Sequence, residues 1–61
     1  MTPKQEREAE AFTVWQRHGE RAPLFVAERV GALAAQNDME GVKRWQEIAS
    51  ELDTMMLGGR N

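Results

Sequence analysis

Between residues 42 and 56 apolar side chains return every three or four positions: Val42, Trp45, Ala49, Leu52 and Met56. That spacing traces one face of an α-helix. Ile48 and Met55 widen it, and Lys43, Arg44, Glu47 and Glu51 fall on the other face. There Glu40 precedes Arg44 by four residues, as Lys43 does Glu47; each pair would add only ~0.3 kcal/mol. A second segment, residues 24–36, is apolar around most of its girth. Val26, Ala27, Val30, Leu33 and Ala34 make one stripe, and Leu24, Phe25, Ala32 and Ala35 lie elsewhere on it. Its polar face shrinks to Glu28, Arg29 and Gln36. So apolar a helix is expected at the centre of the fold, in contact with both neighbours. The N-terminal segment is amphipathic only in its second half, through Ala11, Phe12 and Trp15 with His18 at the end. Its first two turns are mostly charged and are expected to project into solvent.

Punctuation divides the chain at the same places. Thr2-Pro3-Lys4-Gln5 has the form of a capping box, with Pro3 at the first helical position, where its missing N–H costs nothing. Gly19 offers a left-handed exit near His18. Pro23 marks the next start, and Ala22 before it is biased away from helical geometry. Asn37 can take the αL position that ends this second helix, and Asp38 can cap a third running from Met39 to about Leu57. Gly58-Gly59-Arg60-Asn61 reads as a frayed, flexible tail. Only five residues are Val or Ile, none in period-two alternation, so no strand competes.

These elements predict an all-α fold: a small three-helix bundle spanning residues 1–57. Helices two and three form an antiparallel αα-hairpin and helix one packs across it. The expected core is Phe12, Trp15, Val26, Val30, Leu33, Val42, Trp45, Ile48, Ala49 and Leu52. At 61 residues there is room for one domain, with modest stability. Eight basic against ten acidic residues give −2, and no segment is strongly basic. No electrostatic footprint for nucleic acid therefore stands out. The absence of cysteine allows a reducing compartment. Residues 1–10 are polar, without the apolar run of a signal peptide, so a cytoplasmic protein is expected.

Candidate chemistry is sparse. One histidine and no cysteine cannot build a zinc site, and no calcium loop, Walker loop or nucleophile elbow is present. No metal, cofactor, small-molecule substrate or catalytic residue is expected, and the protein is read as not an enzyme. His18 would need an oriented partner and a pocket to act as acid or base; near a helix C-terminus it more often meets the free carbonyls and the dipole. Arg17, Arg21 and Arg29 are expected to pair with Glu20 and Glu28 and stay solvated rather than bind an acidic partner. Ala27, Gly31 and Ala35 recur every four residues. The plainer expectation is that the indole of Trp15 or Trp45 fits over Gly31 inside the monomer; the alternative is a close helix contact with another chain. Met55 and Met56 read either as a soft contact surface or as the frayed end of the core stripe.

The run His18-Gly19-Glu20-Arg21-Ala22-Pro23, then Phe25, then Ala27-Glu28-Arg29-Val30-Gly31-Ala32-Leu33-Ala34, is distinctive. With Gly41, Trp45, Ile48-Ala49 and Leu52 it resembles a family of small alphaproteobacterial proteins typical of sphingomonads, over roughly residues 12 to 53. The resemblance implies a free-standing bacterial protein and brings no activity, ligand or catalytic residue with it. Asn37 stands where that pattern leads one to expect glycine, a change αL geometry tolerates.

The functional expectation is a small non-catalytic interaction module working through homo-oligomerisation, with a homodimer the simplest form, or through a protein partner. Leu24, Phe25, Ala27, Gly31, Ala35, Met55 and Met56 are its candidate contact residues. The alternative is a nucleic-acid-associated regulator using helix three of a helix-turn-helix-like hairpin. The acids Glu47 and Glu51 on that helix disfavour it, and no membrane association is expected.

Overall fold

A computed structural model describes residues 2–58 and shows an all-helical chain. Helix α1 runs Pro3–His18, a 3₁₀ turn covers Gly19–Arg21, α2 runs Ala22–Ala35 and α3 runs Met39–Leu57. Three separate helices were expected. Instead Pro3 to Ala35 runs without a loop, bent at the 3₁₀ turn, and only Gln36–Asp38 interrupts the helical chain. The reason lies in two backbone positions. Ala22 is helical (φ −55, ψ −45) despite the proline after it, and it is fully buried, so core packing outweighs the pre-proline bias. Gly19 has φ 56 and ψ −129, a positive-φ conformation that lies outside αL and suits glycine. The chain therefore turns sharply rather than looping out. Of the expected tail, Gly58 ends α3 in an extended conformation and residues 59–61 lie outside the described residues.

The caps follow the sequence closely. Thr2 and Gln5 form a reciprocal capping box: the Gln5 N–H donates to Thr2 Oγ1 at 3.1 Å, and the Thr2 N–H donates to Gln5 Oε1 at 2.9 Å. At the α2–α3 corner Asn37 has φ 62. The Asp38 N–H donates to the Leu33 carbonyl and the Asn37 N–H to the Ala34 carbonyl, the paired bonds of a Schellman motif. The Asp38 side chain then accepts from the Gly41 N–H at 3.0 Å, capping α3.

Helix α3 occupies the centre, since α1 and α2 each pack mainly on it and touch one another little. The expected central position of α2 is thus corrected. Much of α2's apolar character comes from alanines that face outward, whereas α3 concentrates its large side chains in one stripe. Ile48 and Leu52, each 1% exposed, and Val26 are the largest fully buried side chains. Ala11, Val14, Ala22 and Val42 complete the buried set. Trp15, Val30, Leu33, Trp45 and Ala49 are half-buried around it, so the indoles flank the core rather than fill it. Phe12 is 50% exposed, against expectation, and Val14 takes its place. The inward line of α1 is Arg7, Ala11, Val14 and His18, at helical spacings of four, three and four.

Candidate interaction surface

The charged start of α1 is exposed over residues 3–6, as expected, but from Arg7 onward the helix is partly covered by α3. It runs antiparallel to α3 and pairs with it in register. Lys4 Nζ donates to Glu51 at 3.0 Å, Arg7 Nε donates to Glu47 at 3.1 Å, and Arg44 pairs with Glu10. Arg7 also reaches Glu10 at 2.8 Å, within its own helix. The Arg7 side chain is only 18% exposed. Partial burial alone would push the Glu10 carboxyl up, but hydrogen bonds and charge from Arg44 and Arg7 hold it below the ordinary range. The Lys4 ammonium is raised, chiefly by its hydrogen bond and charge interaction with Glu51. The sign order plus, plus, minus on α1 meets minus, minus, plus on α3, which fixes this register. The Glu40–Arg44 and Lys43–Glu47 pairs expected within α3 give way to it: Arg44 and Glu47 turn to α1 instead.

Where α1 ends and α2 begins, aromatic rings link all three helices. His18 stacks on Phe25 with centroids 4.0 Å apart and planes 15° from parallel. Phe25 meets Trp45 edge-on at 5.9 Å, and the Arg29 guanidinium lies 5.4 Å from the Trp45 ring centre. Such contacts contribute roughly 0.5–1.5 kcal/mol each. His18 therefore engages a ring rather than the helix-end carbonyls. Arg29 covers an indole rather than pairing with Glu28, and Arg17 and Arg21 form no ion pair among the described residues.

The face of α2 turned away from α3 is different in kind. Leu24, Ala27, Gly31, Ala34 and Ala35 are exposed there, with Leu24 at 57%. Their spacing places them within one broad arc of the helix. A Cβ added to Gly31 would meet nothing within 4 Å, so no indole covers it and the expected packing inside the monomer is corrected. The arc borders an open groove of about 340 Å³ between α2 and α3, lined by Pro23, Val26, Ala27, Val30, Ala49, Leu52 and Asp53. Asp53 is the single titratable group in that lining.

Of the seven residues marked from the sequence, the structure brings Leu24, Ala27, Gly31 and Ala35 onto this outer face. Phe25 is drawn into the aromatic cluster, and Met55 and Met56 are half-buried against the core. Sequence reasoning missed Ala34's place on the face, the groove beside it and Asp53 at its rim. A helical projection centred on Gly31 would have found Ala34; the groove depends on how α2 sits on α3 and has no signal in either helix alone. Among the described residues no cluster of three or more potential metal ligands occurs, and no helix is long and apolar enough to cross a membrane.

The chain belongs to a family of unknown function (DUF6961), whose model matches residues 3–57. Neither the curated proteins nor the solved structures contain a match to it.

Proposed function

We propose that the protein is a small, non-catalytic three-helix module that acts by binding another polypeptide through the outer face of α2. One observation carries this reading. The arc that holds Leu24, Ala27, Gly31, Ala34 and Ala35 is apolar and uncovered, with the exposed Glu28 at its edge. A contiguous exposed apolar patch of this kind is the usual mark of an interaction site. The groove beside it supplies shape, and its single acid, Asp53, suits contact better than acid–base chemistry, which needs at least one oriented partner. The nucleic-acid alternative draws no such support: Glu47 and Arg44 of α3 face α1, which leaves Lys43 as the one basic side chain of that helix outside the seam.

Affinity capture with two baits tests the reading. The wild-type chain is expected to retain a defined polypeptide, its own kind included, from an extract of its source cells. A bait carrying Ala27→Glu and Ala34→Glu is expected to lose it while keeping its helical circular dichroism. Equal capture by both baits would overturn the assignment of this face.

A further inference from the structure

We propose that the occupant of the α2 face is a second copy of this chain, docked antiparallel about a two-fold axis between Ala27 and Gly31. The proposal rests on the reading of α2 as the contact surface and names its partner. Two independent properties of the face select this arrangement.

The first is size. An isologous contact sets a patch against itself, so large groups must meet small ones. Antiparallel pairing centred between Ala27 and Gly31 brings residues whose numbers sum to about 58 opposite one another. Leu24 of one copy then falls against Ala34 and Ala35 of the other, and Ala27 falls against Gly31. Moving the centre to Gly31 itself would instead set Leu24 against the Asp38 cap. Open space over Gly31 lets the two backbones approach closely there. Pro23 and Val30, at the flank, carry the contact toward the groove that ends on Leu52 and Asp53.

The second is charge. At the start of α2, Arg17 and Arg21 outnumber Glu20, giving +1; at its end, with Arg44 neutralised by Glu10 in the seam, Asp38 and Glu40 outnumber Lys43, giving −1. Antiparallel docking places the positive end of each copy beside the negative end of the other, and it aligns the helix dipoles favourably. Parallel docking would put like ends together. Leu24, Ala27, Gly31, Ala34 and Ala35 bring no charge of their own into the contact; the exposed Glu28 lies at its rim, where the two copies stay in solvent and are screened.

The surface of a single 14-residue helix is small beside the roughly 800 Å² per partner of a stable interface. The dimer is therefore weak and forms in the micromolar range or above. Sedimentation equilibrium of the full chain, from about 10 μM to 1 mM, reads it directly. The mass is expected to rise from 6.9 kDa toward twice that value. Ala27→Glu is expected to weaken association at least about tenfold, whereas Gln46→Glu, the same charge change on the exposed side of α3, leaves it unchanged. If Ala27→Glu loses helical signal, Gly31→Leu makes the same test with bulk alone. A monomer at every concentration would overturn the second-copy assignment. Selective capture of a different polypeptide by the wild-type bait would then still stand for the broader reading. A dimer indifferent to Ala27→Glu and Gly31→Leu would overturn the face itself.

Discussion

Helices α1 and α2 dock on the same helix by opposite means. The seam between α1 and α3 carries ion pairs in a fixed register above a thin apolar line of Ala11 and Val14. The α2–α3 contact is apolar, with Val26, Val30, Ala49 and Leu52 meeting across it. The outward faces are reversed as well. Away from α3, α1 shows Gln5, Glu6, Thr13 and Gln16, with Phe12 among them, while α2 shows Leu24 and a row of small apolar residues. Charge does not by itself mark the solvent side of this small protein, nor apolarity the core. A 61-residue chain has too few large side chains to bury everything apolar. Here ions knit one helix in place and leave an apolar face open on another.

The shared helix α3 carries the largest expected effect. Leu52→Ala removes a fully buried side chain beneath both docked helices and is expected to cost about 2–5 kcal/mol, read by chemical denaturation followed through Trp15 and Trp45 fluorescence. For so small a domain that is much of the total. A loss under ~1 kcal/mol would mean that Leu52 is not the common floor of the two contacts.

The bend between the two helices comes next. Gly19→Ala forces an L side chain into a positive-φ conformation and is expected to destabilise by about 1–3 kcal/mol. Thermal melts that match wild type would show that the turn can relax into an ordinary loop.

The charged seam responds less and in a diagnostic way. Glu10→Gln is expected to cost at most about 1 kcal/mol, with the loss shrinking at high salt. Reversing both partners, Glu10→Arg with Arg44→Glu, should recover part of the loss suffered by either change alone. Protonation gives a second readout. Because the folded Glu10 sits below its ordinary value of 4.5, its stabilisation is present above that pH and fades as acidification passes through the lower folded value. Lys4 behaves in mirror image: raised above 10.5, it stabilises below that pH and loses its effect as alkali passes the folded value. An acid limb unchanged in the Glu10→Gln variant would contradict the Arg44 and Arg7 pairings.

On the open side the expected stability effect is smallest. Ala27→Glu touches no core contact and should shift unfolding by no more than about 0.5 kcal/mol, measured by the same denaturation. A large loss there would mean that the face is covered within the monomer.

Much of this architecture was legible in the sequence, and the limits are instructive. The capping box at Thr2, the corner at Asn37–Asp38 and the inward stripe of α3 are local signals, set by residues three or four apart. The seam was not legible, because Lys4 and Glu51 stand 47 positions apart and each looks like an ordinary solvated charge in its own helix. For the same reason the buried line of α1 escaped notice: it begins at Arg7 and ends at His18, so hydrophobicity favoured Phe12 over Val14. The helical geometry of Ala22 was not legible either, because its local backbone bias points away from a helix and the core contact that overrides it comes from the fold. Of the candidate surface, the recurrence of Ala27, Gly31 and Ala35 was visible in the chain. Which way that row points depends on how α2 rolls against α3, and only the fold decides it.

The most direct measurement is a dilution series of amide spectra on isotope-labelled protein. Concentration-dependent shifts are expected at Leu24, Ala27, Gly31 and Ala34, with Lys4, Arg7 and Glu10 unmoved. Shifts centred on the α1–α3 seam, or spectra invariant with concentration, would contradict the account of α2 as the face this protein offers to its own copy.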